Sequence, residues 1–322
     1  ALKQAKLFTQ QAQEENSLQV NKILETASHA YLEWYKAYRT YEIFDQFVVN
    51  AAFRFEGVKK RSEIGDLAVI DTTEARITYN QRLLERENAQ LELQKKALAA
   101  SNFLWIESQP IVLTESVSPK FDQANFYSLF GTDTFDIENH PKIRALALKQ
   151  RQLILEKRLQ KNNLLPEVNL NYQWLSNANP ISQFNFALDP ENNATGLQIA
   201  FPLFLRKERA NLKLATLKSN DIEWEQAQTK VALENKIQAL FIQKEQLKKQ
   251  EVIANQMAED YQMLYAGEKK KFEAGESSLF LVNTRESQLI EAVLKSISIE
   301  VAQRKTEIMY YYAVTFPEIQ TQ

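Results

Sequence analysis

The chain has 322 residues, with 39 basic and 41 acidic side chains, a net charge of −2, six glycines, eight prolines and no cysteine. The charge balance excludes a basic nucleic-acid face, and the absence of cysteine excludes thiol catalysis, disulfides and thiolate metal sites. No stretch approaches the roughly 18 consecutive apolar residues of a membrane-crossing helix, a test that does not bear on a transmembrane β-barrel.

The opening segment, to about Gly57, reads as one helix. Val20, Leu24, Ala27, Tyr31, Trp34, Tyr38, Tyr41, Asp45, Val48, Ala52 and Phe55 follow alternating four- and three-residue steps, and only Asp45 is polar. That 3.5-residue period is the coiled-coil seam, and about 57 helical residues would reach roughly 85 Å. Gly57-Val58-Lys59-Lys60-Arg61-Ser62-Glu63-Ile64-Gly65 then interrupts the pattern. Beyond it Ile70, Ile77, Leu84, Leu91 and Leu98 recur every seven residues towards Trp105. A short linker forces the two stretches antiparallel, so the apolar row is expected on the shared seam. Arg82, Glu85, Glu92 and Lys95 are expected on the opposite, polar face. Residues 1–105 are thus read as a first helical hairpin with its tip near 57–67.

Residues 106–138 lose all periodicity, with Pro110, Pro119 and Gly131 marking irregular structure and room for a short helix. Asn139-His140-Pro141 opens a new helix over 139–164, a capping residue standing ahead of a proline. Residues 165–204 change period to two. Val168, Leu170, Tyr172 and Trp174 alternate with Asn169, Asn171 and Gln173, and Leu197, Ile199, Phe201 and Leu203 follow a polar loop at 176–193. This pattern fits two strands of a transmembrane barrel and equally an amphipathic hairpin on a soluble sheet. Residues 205–315 return to helix, turn near 267–278 and come back, leaving a tail at 316–322.

The second turn repeats the first. Gly267-Glu268-Lys269-Lys270-Lys271-Phe272-Glu273-Ala274-Gly275 stands 210 positions after Gly57 to Gly65, and the two copies hold four of the six glycines. The chain therefore reads as a duplicated unit with two related tips, and no residue constellation suggests catalysis, a cofactor or a metal.

Several motifs together resemble the TolC-type outer-membrane efflux protein family. Leu164-Leu165-Pro166 leads into an alternating strand, and Gly196-Leu197-Gln198-Ile199-Ala200-Phe201-Pro202-Leu203-Phe204 closes the second. Glu63-Ile64-Gly65-Asp66-Leu67-Ala68-Val69-Ile70-Asp71 and Phe272-Glu273-Ala274-Gly275-Glu276-Ser277-Ser278-Leu279 form the tips. Each match is weak alone; their order and the repeat cover nearly the whole chain. The resemblance implies a mainly α protomer of two long antiparallel coiled-coil hairpins, forming part of an α-barrel, with a β-hairpin contributing to a shared outer-membrane β-barrel. It further implies a homotrimer in the outer membrane of a Gram-negative cell, contacting outer-membrane lipid and no nucleic acid. Such a protein is a passive exit channel for small molecules or proteins, working with a periplasmic adaptor protein and an inner-membrane transporter in a tripartite efflux or type I secretion system. Ile64, Gly65, Asp66, Leu67, Ala274, Gly275, Glu276 and Ser277 are then the adaptor-binding tips. The runner-up is a soluble coiled-coil periplasmic adaptor or scaffold, a class that usually carries one hairpin between lipoyl-like segments.

The chain departs from the family in two respects. Ala1-Leu2-Lys3-Gln4-Ala5 aligns with Asn211-Leu212-Lys213-Leu214-Ala215, so the first unit lacks a counterpart of the helix and strand pair that open the second. An N-terminal helix and strand pair are expected upstream. The family also keeps acidic residues just inside its tips as a periplasmic gate. Asp71 matches one such position, but Leu281 and Thr284 replace the second acidic pair, and Phe272 supplies the aromatic without a hydroxyl. Closure then calls for other contacts, Arg285 or Glu286 among them.

Three further features have plain readings. His29, with Glu33 four residues on, reads as a helix-surface histidine, since two ligands do not make a metal site. Tyr31, Trp34, Tyr35, Tyr38 and Tyr41 read as core packing. Lys59-Lys60-Arg61 and Lys269-Lys270-Lys271 fit favourable charge at helix C-termini and also electrostatic docking to an acidic partner.

Overall fold

A computed structural model describes residues 2–114, 116–120, 136–174, 193–200 and 204–315, except the side chains of 172–174 and 193–195. The expected tail at 316–322, residues 176–192 of the loop expected at 176–193, residues 115 and 121–135 of the irregular segment and Phe201, Pro202 and Leu203 lie outside the described residues. Four long helices dominate: α1 (Leu2–Glu63), α2 (Val69–Ser101), α4 (Arg206–Glu273) and α5 (Leu279–Val314). Between them stand β1 (Trp105–Ile106), β2 (Gln109–Pro110), a 3-10 turn (Ile137–Asn139), α3 (Pro141–Asn162), β3 (Glu167–Trp174) and β4 (Asn193–Ala200). The two helical hairpins and the strand pair are those predicted by the periods of 3.5 and two. No described helix is long and apolar enough to cross a membrane.

The chain forms two compact units: residues 1–15 with 141–231, and residues 16–140 with 232–322. In the first unit β3 and β4 pair antiparallel, with Val168 opposite Ile199, Leu170 opposite Leu197 and Asn169 opposite Gln198. Since side chains alternate along a strand, this register puts the four aliphatic residues on one face and the amides on the other. All four aliphatic side chains are exposed. Within the same unit Gln152 of α3 donates to Gln11 at 2.8 Å, and Arg144 pairs with Glu14.

In the second unit the core is built from α1 and α5. Leu32 and Tyr35 of α1 cluster with Val301 and Ile308 of α5. Nearer the tips Phe47 joins Val282, Leu289 and Ile290, with Tyr265 of α4. The buried α1 residues Leu32, Tyr35, Phe47, Ala51 and Val58 lie next to the predicted seam, which supplies Trp34 and Val48, while Leu24 is exposed.

The seam expected of α2 is corrected. Ile70, Ile77, Leu84, Leu91 and Leu98 are all exposed, and α2 instead buries Ala75, Arg82, Ala89 and Ala100. Arg82, expected on the solvent face, is among the buried residues. Periodicity marks an apolar row but does not say whether the row faces a helix of its own chain. Apart from Arg82, α2 turns small residues inwards within the chain, which lets backbones approach closely, and leaves its large apolar ones outside.

A second correction concerns the turns. Gly57 and Gly267 lie inside α1 and α4, which continue to Glu63 and Glu273. Of the described glycines, only Gly65 and Gly275, at φ +82° and +79°, occupy the left-handed region. The irregular segment 106–138 shows no helix at its described start: β1 and β2 form a hairpin turning on Glu107 and Ser108, both at positive φ.

Candidate functional site

The tips are two copies of one backbone device. At the first, Gly65 N–H donates to Ser62 C=O at 3.1 Å and Asp66 N–H donates to Arg61 C=O at 2.8 Å. At the second, Gly275 N–H reaches Phe272 C=O at 3.1 Å and Glu276 N–H reaches Lys271 C=O at 2.8 Å. This paired pattern is the Schellman motif, which satisfies the last helix carbonyls and requires a left-handed residue where both copies place glycine. At the first tip an ion pair between Arg61 and Asp66, at 2.6 Å, links the two positions that the motif brings together.

Ile64 is 80% exposed at the apex, Gly65, Asp66, Ala274, Gly275 and Glu276 are exposed, and Leu67 is half-buried. Ser277 donates to Glu268. The two tips meet: Leu67 and Phe272 both pack on the cluster of Val58, Ala75 and Leu279, and the Arg61 guanidinium lies 5.7 Å from the centre of the Phe272 ring. Lys59, Lys60, Lys269, Lys270 and Lys271 are exposed around this apex.

The four positions expected at the gate are occupied as follows. Asp71 uses its carboxylate to accept from Ala68 N–H at 3.2 Å, closing the first turn of α2. That is half a capping box, because alanine has no side-chain acceptor to return the bond. Phe272 is committed to the apolar cluster already described. Leu281 donates its N–H to the N-cap hydroxyl of Ser278 at 3.3 Å, and Thr284 bonds back to Phe280 C=O at 2.8 Å. Among the described residues these four are separate local contacts rather than one constellation.

The polar centre near the tips is Glu286, which is 0% exposed. Arg54 of α1 donates to both of its oxygens, at 2.7 and 2.9 Å. Arg82 of α2 adds Nε at 3.3 Å, and Tyr265 of α4 donates its hydroxyl at 3.1 Å. Arg82 also donates to Ser287 at 2.7 Å and to Glu85 at 2.8 Å. One carboxylate on α5 therefore binds all three other long helices. Burial opposes the Arg54 charge, but the bidentate Glu286 contact outweighs it and raises the guanidinium pKa above its ordinary value. Burial, then the Glu286 charge, raises the Tyr265 hydroxyl and keeps it a donor.

The sequence reading named Glu286 only as an alternative closing contact and placed Arg82 on the solvent face. The available signal was the repeat itself. Stepping 210 positions maps Arg54 onto Leu264, Arg82 onto Ala292 and Tyr265 onto Phe55. Polar residues in one copy where the other is apolar mark a contact that the duplication does not share. Arg285 donates to Gln288 at 3.0 Å on its own helix.

His29 is half-buried with an Nε2 that has no hydrogen-bond partner, while Glu33 is bridged by Lys96 at 3.3 Å and by Lys305. No group of three or more metal-ligating side chains occurs among the described residues.

Comparison with known proteins agrees with this arrangement. Among curated protein sequences none matches. Among solved structures, the chain resembles the CmeC outer membrane channel of Campylobacter jejuni with TM-score 0.78 at 14% identity, covering 99% of this chain and 68% of that one. It resembles the outer membrane protein VceC of Vibrio cholerae with TM-score 0.75 at 14% identity over 97% of this chain and 74% of that one. The open state of the MtrE channel of Neisseria gonorrhoeae gives TM-score 0.65 at 14% identity over 97% and 70%. These likenesses establish the fold. A sequence model of the family described as "Outer membrane efflux protein" matches residues 137–307, over half of the chain. The protein therefore belongs to the outer membrane efflux protein family, channels that carry exported material through the outer membrane of Gram-negative cells.

Proposed function

We propose that this chain closes into a homotrimeric exit duct whose tips receive a periplasmic adaptor protein, which couples it to an inner-membrane transporter. One observation carries the ring: the two hairpins are related by repeat, but only one of two equivalent helix seams is filled. Leu32 packs against Val301 and Ile308 inside the chain. Their counterparts 210 positions away are Ile242 on α4 and Leu91 and Leu98 on α2. All three are exposed, Ile242 at 58% and Leu91 at 50%. Exposed stripes of this length mark an interface, and α2 and α4 are complementary rather than identical surfaces. A heterologous contact of that kind generates a ring when its rotation closes.

The strand pair supports a barrel contribution, since Val168, Leu170, Leu197 and Ile199 offer a continuous aliphatic face to lipid and the amides offer the other face to water. The tips support docking, since their apex carries an exposed Ile64 beside a glycine turn in each hairpin. Small molecules or proteins would pass along the lumen, with the energy supplied by the transporter.

The test is the mass and conductance of the full-length protein in detergent and in planar bilayers. Three copies per particle and a steady ion current are expected; a monomer, or a trimer that carries no current, would refute the duct. Bulky side chains in place of Gly65 and Gly275 should abolish cross-linking to the adaptor in cells without lowering the amount of trimer, and undiminished cross-linking would reject the docking site.

A further inference from the structure

Of the five aromatic residues of α1 read as core packing, Tyr31 and Tyr35 join the Leu32 cluster. The other three, Trp34, Tyr38 and Tyr41, line a hollow of about 400 Å³ together with Gln90 and Gln94 of α2, which is within the size range of small-molecule sites. Leu113, Thr114 and Val117, from the irregular stretch beyond β2, complete the wall. That stretch is tied down along its length. Ile111 N–H donates to Leu104 C=O at 2.9 Å, Leu113 N–H donates to Ser101 Oγ at 2.9 Å, and the Tyr31 hydroxyl donates to Lys120 C=O. The hollow is therefore preformed, and a ligand would need to order little to occupy it. None of the described residues lining it is charged.

The second hairpin treats the same groove differently. Stepping 210 positions maps Trp34, Tyr38 and Tyr41 onto Lys244, Lys248 and Glu251, and Gln90, Gln94 and Ala97 onto Glu300, Arg304 and Glu307. Those charges engage one another and their own helices. Arg304 pairs with Glu307 at 3.3 Å with both side chains buried, and Arg304, Glu300 and Glu307 all act on the charge of Glu251. The Lys244 ammonium lies 5.6 Å from the centre of the Tyr310 ring. One groove thus holds an ion-pair network, and its repeat is a charge-free hollow walled by rings.

The lining discriminates by chemistry. An ion entering the hollow would lose water and gain no counter-charge. A purely apolar molecule would strip water from groups such as the Gln90 amide and the Tyr41 hydroxyl and return no hydrogen bond. An uncharged molecule with an apolar face and a polar edge meets both demands. A pyranose sugar has that form: its C–H groups make a face that electron-rich rings attract, and its hydroxyls stand at the edge, where an amide can donate and accept. We propose that this pocket binds an uncharged pyranose saccharide, stacked on Trp34, Tyr38 and Tyr41 and hydrogen-bonded along the α2 side by Gln90. The pocket lies within one chain, so it stands or falls independently of the duct.

Titration calorimetry of the full-length protein, in a detergent without a sugar headgroup, is the test. The ligands are N,N′-diacetylchitobiose, which is neutral, chitobiose at a mildly acidic pH that protonates its amines, and naphthalene, which has no hydroxyl. Saturable binding of one diacetylchitobiose per chain is expected, with chitobiose and naphthalene at least about tenfold weaker. Tyr38→Ala removes a stacking ring, and Thr114→Trp fills the hollow from its exposed rim. Each should weaken binding at least about tenfold. Should Tyr38→Ala fail to fold, Thr114→Trp still decides, because it lies outside the helices. Absence of diacetylchitobiose binding, preference for chitobiose or naphthalene, or undiminished binding in either folded variant overturns the proposal.

Discussion

Leu32 and Ile242 hold the same place in the two repeats, 210 positions apart, yet Leu32 is 1% exposed and Ile242 58%. The difference lies in their neighbours. Leu32 has α5 of its own chain over it, whereas the described residues leave most of Ile242 uncovered. Substitutions at the two sites should therefore fail in different ways. Leu32→Ala should lower the stability of each protomer by about 2–5 kcal/mol, the range for truncating a buried leucine. Ile242→Glu or Leu91→Glu should leave the protomer helical but shift the particle from trimer to monomer. Light scattering beside circular dichroism separates the outcomes, and a trimer that survives both glutamates would reject the proposed ring contact.

The legibility of the sequence divides along the same line. Periods of 3.5 and two located the hairpins and the strand pair, because those patterns depend only on which side of an element is apolar. They could not assign the α2 stripe to a partner, since Leu91 is as hydrophobic whether a helix of its own chain or of another copy covers it. The inner face of α2 escaped notice because Ala75 and Ala89 are too small to stand out as a core row. The clasp around Glu286 was hidden for another reason: Arg54, Arg82 and Glu286 look like ordinary helix-surface charges until the fold brings them together.

The glycine pairs should respond oppositely to substitution. Gly57 lies inside α1, and a Cβ there meets nothing within 4 Å. Gly57→Ala should therefore raise stability by about 0.5–1 kcal/mol through helix propensity. Gly65 also has open space, but its φ of +82° is left-handed. Gly65→Val should cost at least about 1–2 kcal/mol and Gly65→Asn less, as asparagine tolerates that conformation better. Thermal unfolding of the three variants checks the order; equal midpoints for Val and Asn would show that the turn changes conformation on substitution.

Breaking the clasp should be costlier than removing it. Glu286→Gln leaves Arg54 and Arg82 facing a neutral group in a buried site, and a loss of about 3–5 kcal/mol is expected. Replacing Glu286, Arg54 and Arg82 together by methionine removes the three charges of this site and should recover most of that loss. Denaturant unfolding compares the two, and a triple variant weaker than Glu286→Gln would show that the ion pairs themselves supply net stability. Recovery in the triple variant also separates the energetic effect of the clasp from its geometric one, since methionines restore packing without restoring directional contact.

His29 should make stability fall as the medium is acidified. Its pKa is lowered from the ordinary 6.5, first by burial and then by the Lys305 charge, against the opposing pull of Glu25 and Glu33. The Nε2 atom has no hydrogen-bond partner, so protonation would place a new charge on a buried, unsupported nitrogen. The sign follows directly. As pH drops through the ordinary histidine range, the unfolded chain takes up a proton and the folded chain does not, so acidification favours unfolding until the folded pKa is reached. His29→Leu removes that difference and should flatten the dependence of the unfolding midpoint between pH 7 and the folded-state pKa. Equal slopes for parent and variant over that interval would mean that the imidazole is solvated in the folded protein.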